Sequence, residues 1–111
     1  MKMTLEDYDQ MTVIALDGDL TADDVAKFRK AVSQRLADNV RDFVLDVSQV
    51  EFTDSQGLET LLWLQDTCAE NLGQIRLASP TENMSTILRL TRLASHLECH
   101  DDVDAAIKSL R

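Results

Sequence analysis

A chain of 111 residues with a formal charge of −9 and 44% hydrophobic residues has room for one domain, residues 1–111. That much apolar matter can form a core without disulfides or metals. The negative balance excludes nucleic acid and anionic membranes as partners, because both are bound by clustered Lys and Arg. There is no run of about 18 apolar residues and no charged-then-apolar opening segment, so no direct membrane insertion is expected, and the chain should be cytoplasmic, or the cytoplasmic part of something larger.

Met3 and Leu5 alternate with Thr4 and Glu6 as a first strand, and Asp9-Gln10 turns the chain back. Met11 to Leu16, MTVIAL, is a stronger, β-branched strand, so a hairpin is expected. Asp17-Gly18-Asp19 breaks the pattern. Thr21 can cap the next helix with Asp24 three residues on, and Val25, Phe28, Val32 and Leu36 share one face. Asp38-Asn39 ends it, since Asn tolerates the left-handed conformation. Phe43 to Val47 is a short apolar run without clean alternation, which suits a strand covered on both faces, or a central one.

After Asp54-Ser55 comes a helix with Leu58, Leu61, Leu62, Cys68, Ala69 and Leu72 on one stripe, terminated by Gly73. Gln74 to Ala78 supplies a further strand. Ser79-Pro80-Thr81-Glu82 then predicts a helix start, with Ser79 as the cap, Pro80 in the first turn and Glu82 closing the box. Met84, Ile87, Leu88 and Thr91 follow on one face. His96 to His100 reads as a last edge strand. Asp101 or Asp102 opens a final helix with Val103, Ala106, Ile107 and Leu110 inward. Its acids come first and its bases last, which complements the helix dipole. The order ββαβαβα(β)α predicts an α/β fold: a mixed, mostly parallel sheet of four to five strands, with four helices and right-handed crossovers.

Cys68 and Cys99 are expected as reduced, mostly buried thiols. Cys99, His96 and His100 lie within five residues of one another, too close along one short strand to converge on a metal. No cofactor is expected, since three glycines leave no Gly-rich phosphate loop.

The stretch Val44 to Leu64, VLDVSQVEFTDSQGLETLLWL, carries the functional signal. A buried strand, Val44-Leu45-Asp46-Val47-Ser48, leads through Val50 and Phe52 to Asp54-Ser55-Gln56-Gly57-Leu58 at a helix start. This resembles the STAS domain of bacterial anti-sigma factor antagonists. Leu16-Asp17-Gly18-Asp19-Leu20 resembles that family's apolar-x-Gly-x-Leu corner, and the element order matches over nearly the whole chain. Three positions depart from the family pattern. Gln56 stands where a small residue is common, and Thr21 where Asp is common. Thr91-Arg92-Leu93 stands where Thr-Gly-Leu is frequent, although Arg disfavours the left-handed conformation that Gly permits.

The resemblance implies that Ser55 is phosphorylated by a serine protein kinase that doubles as an anti-sigma factor. It further implies that a metal-dependent serine phosphatase reverses the reaction, and that the unphosphorylated form binds the kinase in a partner-switching circuit of transcription control. The partner surface would then comprise Asp19, Thr21, Asp54, Gln56, Gly57, Glu59, Thr60 and Trp63. A phosphate there brings about −1.5 to −2 charge to the positive end of a helix dipole with free amides. The helix should therefore survive, and the charge should act on the partner surface.

Each residue also has a plainer role. Ser55 could simply be an N-cap. Asp54 either orients the loop or assists phosphate transfer. Gly57 either admits a partner backbone or is merely tolerated near a helix end. Trp63, opposite Leu58, Leu61 and Leu62 on the helix, is either an exposed hot spot or packs on a neighbouring element. A second function class is a non-switching STAS subunit of a membrane transport complex or signalling scaffold. An enzyme is not expected: Thr-Asp-Ser-Gln-Gly is not a Gly-x-Ser-x-Gly elbow, and His96 and His100 lie late in the topology.

Overall fold

The computed structural model describes all 111 residues. The strands are β1 (Lys2–Tyr8), β2 (Met11–Asp17), β3 (Asp42–Gln49), β4 (Ile75–Ala78) and β5 (Cys99–His100). The helices are α1 (Ala22–Ala37), α2 (Ser55–Glu70), α3 (Glu82–Leu90) and α4 (Val103–Ser109), with a short 3-10 turn at Leu93–Ser95. The sheet runs β1-β2-β3-β4-β5, antiparallel between β1 and β2 and parallel thereafter. This is the α/β order expected from the sequence.

The apolar run of β3, broken only by Asp46, has a direct cause, because helices cover both faces of that strand. Phe43, Leu45 and Val47 join an 18-residue cluster that includes Phe28, Val32, Leu61, Leu64, Met84 and Leu88 of α1, α2 and α3. Val44 points the other way, into a smaller cluster of Met11, Val13, Ala78 and Ala106, which Val103 and Ile107 of α4 and Leu110 just after it complete. Parallel strands covered on both faces read as continuous hydrophobic runs. The crossover helices α1, α2 and α3 pack on one face and α4 alone on the other.

Several local expectations change. Thr21 occupies the N-cap position of α1 but its side chain caps nothing; its hydroxyl faces Asp24 at 3.5 Å. Ser79 does not start α3, because it stays tied to the sheet edge. Its amide donates to the His100 carbonyl, its hydroxyl to the Asp101 carbonyl, and its φ is 56°. Thr81 caps instead: its hydroxyl accepts from the Met84 amide at 3.1 Å and donates to the Val50 carbonyl at 3.1 Å. The buried face of α2 is Gly57, Thr60, Leu61, Leu64 and Cys68. Leu58 and Leu62 are only half-buried, Ala69 is exposed, and Leu72 is 85% exposed.

Leu72, not glycine, takes the left-handed position after α2, with φ 61°. Gly73 is needed for a different reason, since a methyl there would overlap the Arg41 carbonyl. Asn39 is left-handed as expected, at φ 68°. Arg92 also adopts that conformation, φ 65°, at the place where glycine would be at ease. Cys68 is buried, and burial pushes its thiol up to about 12. Cys99, expected to be mostly buried, lies in the exposed edge strand β5.

Candidate functional site

The two loops that leave β2 and β3 run side by side and are stitched together. The Gly18 amide donates to the Gln49 carbonyl at 3.1 Å, and the Leu20 amide to the Phe52 carbonyl at 3.2 Å. Leu20 and Thr53 form a parallel bridge. The buried Thr53 hydroxyl donates to the Leu20 carbonyl at 2.7 Å, and the Phe52 amide to the Asp19 carboxylate at 3.2 Å. This corner brings the starts of α1 and α2 together.

Asp54 holds the junction. One carboxylate oxygen accepts from the Gly57 amide at 2.8 Å, in α2; the other accepts from the Ala22 amide at 3.0 Å, in α1. A single side chain thus caps two helices, satisfying donors that helix starts leave free. Those amides, Gly57 first and Ala22 second, hold the Asp54 carboxyl below its ordinary value. Asp54 therefore takes the capping role on α1 expected of Thr21.

Ser55 is then not the N-cap but the first helical residue. It is exposed, and no protein group bonds its hydroxyl. Of the α2 amides that the sequence led us to expect free, Asp54 takes that of Gly57. Around Ser55 lie exposed Asp19, Gln56 and Glu59 and half-buried Thr21.

Two residues expected on the contact surface lie inside the fold. Thr60 is fully buried and donates to the Gln56 carbonyl at 2.9 Å. Gly57 is buried, and the backbone that comes close is the chain's own: a methyl would overlap the Thr53 hydroxyl and the Leu20 carbonyl. Both residues shape the site from beneath. Trp63 is half-buried, packs on the main core, and lies under the Arg29 guanidinium of α1, 4.9 Å from its ring centre. It therefore braces α1 against α2 while keeping part of its ring accessible.

Phe52 was legible only as part of the motif, yet it is 50% exposed three residues before Ser55. An aromatic between polar Glu51 and Thr53 in a loop was the available signal. The histidines are not placed to activate Ser55. The His96 carbonyl accepts from Gln65, about 15 Å along α2 from Ser55 at ~1.5 Å per residue. His100 lies two strands across from β3, roughly 10 Å at ~4.8 Å spacing, and its ring bonds Glu98 at 3.0 Å. The largest cleft, about 500 Å³, is also at the far end of α2, lined by Gln65, Gly73, Arg76 and His96 among others.

A family model described as "Mlab, STAS domain" matches residues 3–98. The chain belongs to the STAS domain family. Solved structures share the fold. An anti-sigma factor antagonist from Mycobacterium paratuberculosis is 23% identical, with 99% of this chain and 93% of that one covered, at TM-score 0.86. The phosphorylated form of the Bacillus cell fate determinant SpoIIAA is 21% identical, with 99% and 100% covered, at TM-score 0.77. The murine anion transporter Slc26a9 is 16% identical, with 95% of this STAS domain matching 18% of that chain, at TM-score 0.79. No helix of this STAS domain is long and apolar enough to cross a membrane.

Proposed function

We propose that this STAS domain is a phosphorylation-controlled interaction module. In its unphosphorylated form it binds a serine protein kinase that acts as an anti-sigma factor, and it releases that partner when Ser55 carries a phosphoryl group. A metal-dependent serine phosphatase resets it. The reading rests on one observation above others: Ser55 is exposed with an unbonded hydroxyl, while Asp54 does the capping. Transfer of a phosphoryl group to that oxygen therefore costs the helix no cap. The Asp54 carboxylate already holds the Gly57 amide, so the phosphate meets a like charge at the helix start and is expected to project outward. There it adds about −1.5 to −2 charge beside Asp54 and Asp19. Phe52 supplies an apolar contact that a partner could cover.

The test is incubation with a candidate kinase and magnesium-ATP, followed by intact-mass measurement and binding titration. One phosphoryl group is expected on the wild type and none on Ser55→Ala, which keeps partner binding. Ser55→Glu weakens binding more than tenfold, or about 1.4 kcal/mol. Phosphorylation elsewhere, or an unchanged dissociation constant for Ser55→Glu, contradicts the switch. A second reading, a non-switching subunit of a transport complex or scaffold, draws on the anion transporter whose domain shares this fold. Partner binding indifferent to charge at Ser55 would favour it.

A further inference from the structure

We propose that the outer edge of β1 is a self-association surface, on which a second copy of this chain pairs antiparallel about a two-fold axis through Thr4. β1 is a seven-residue strand at the margin of the sheet, paired only with β2 and free of bulges. Tyr8 and Met11 close a two-residue hairpin, so they exchange both backbone hydrogen bonds. Alternation then turns Glu6, Thr4 and Lys2 toward β2. The amides and carbonyls of Met3, Leu5 and Asp7 face outward, and no loop or side chain takes them. Exposed edges are normally blunted by charged side chains, proline, a bulge or a covering element. β1 has no proline, bulge or cover, and its charges, Lys2 and Glu6, are of opposite sign and can pair with each other across a two-fold axis.

The sequence of the edge is complementary to itself in one register. With Thr4 opposite Thr4, Lys2 of each copy faces Glu6 of the other, and Met3 faces Leu5. Met3 and Leu5 are the residues whose backbone groups point outward, so the pairing is in hydrogen-bond phase. Their side chains are half-buried against the main core, and the pairing covers part of what remains exposed. Lys2, Thr4 and Glu6 are exposed on the other face. Opposite charges and apolar pairs directly across a ladder are the favourable cross-strand contacts. Centring on Leu5 instead sets Met3 against Asp7 and loses both charge pairs. The contact is isologous, as a two-fold dimer requires. One strand per copy is smaller than the ~800 Å² of a standard interface, so the dimer is weak and concentration-dependent. Ser55, beyond the end of β3 in the middle of the sheet, stays free in it.

Sedimentation equilibrium of the full chain between about 10 μM and about 1 mM covers the range where so small a contact falls. The wild type is expected to dimerise. Thr4→Lys puts like charges at the axis and raises the dissociation constant more than tenfold. Lys2→Glu and Glu6→Lys each weaken association, and the double exchange restores it to within about threefold of wild type. Amide exchange in the wild type should slow at Met3 and Leu5 as concentration rises, a readout that needs no variant. A monomer throughout the range leaves the edge to some other strand and overturns the proposal. So does a dimer that the double exchange fails to restore, or exchange at Met3 and Leu5 independent of concentration.

Discussion

Replacing Gly57 with alanine sets two effects of opposite sign against each other. Helix propensity favours alanine inside the first turn of α2 by up to about 1 kcal/mol. Packing opposes it, because the added methyl would overlap the Thr53 hydroxyl and the Leu20 carbonyl, and the second of these is backbone. That carbonyl is also an acceptor, taking the Thr53 hydroxyl at 2.7 Å and the Asp54 amide at 3.4 Å. Overpacking of a tight contact costs about 1–3 kcal/mol, and each strained hydrogen bond about 1 kcal/mol more. The expected balance is a loss of roughly 2–4 kcal/mol. In urea, with a slope of about 1–3 kcal/mol per molar, the midpoint should fall by about 1–2 M at unchanged slope. A Gly57→Ala protein as stable as wild type, or more stable, would show that propensity wins and that the two crossover loops are not held tightly here.

The other expectations concern caps, backbone strain and acid. Arg92→Gly relieves a left-handed residue, φ 65°, worth about 1–2 kcal/mol, against about 0.5–1 kcal/mol of glycine entropy. A net gain should raise Tm by about 2–6 °C in a thermal melt, and a lower Tm would refute it. Thr81→Val keeps the shape but removes the α3 cap and the tie to Val50. It should cost about 1–2 kcal/mol by urea titration, and no loss would mean water replaces both bonds. The Asp54 carboxyl is held below its ordinary value by amides of both helices, so its ionised form stabilises the fold above about pH 4. That contribution is lost as pH falls through the lowered folded value. Asp54→Asn should therefore be less stable at pH 7 and converge on wild type in acid, and a gap that stays constant with pH would contradict the assignment.

Periodicity made the fold legible because each strand and helix buries a face that its spacing announces. FVLDV in β3 could be read as covered on both sides without knowing by what. Single-residue roles were less legible wherever the deciding neighbour lies far along the chain. Thr21 has the right identity and spacing for a cap, but Asp54 reaches the Ala22 amide from 32 residues away. Ser79 lost its cap to Thr81 because β5 holds its backbone, and β5 is too short to announce itself clearly. Thr60 and Gly57 were expected on the partner surface, yet Gly57 packs against the Leu20 carbonyl of the β2–α1 corner and Thr60 lies on the buried face of α2. Leu72 and Arg92 show the reverse case: exposed residues at helix ends take the left-handed conformation that their own preference would avoid, held by local helix-end hydrogen bonds.

The capping role of Asp54 also decides how an acidic group at position 55 acts on the fold. A negative charge in the first turn normally gains about 0.3–1 kcal/mol from the dipole and free amides. Here the Asp54 carboxylate already holds the Gly57 amide, so a second anion gains less attraction and meets a like charge one residue away. Ser55→Glu should thus leave the stability of the wild type within about 0.5 kcal/mol. In an Asp54→Ala background the amide is released, and the same substitution should stabilise by up to about 1 kcal/mol. A double-mutant cycle on urea midpoints measures that difference directly. Equal effects in both backgrounds would mean that Asp54 does not hold the amide. A phosphate on Ser55 would then fold back onto the helix start rather than project toward a partner.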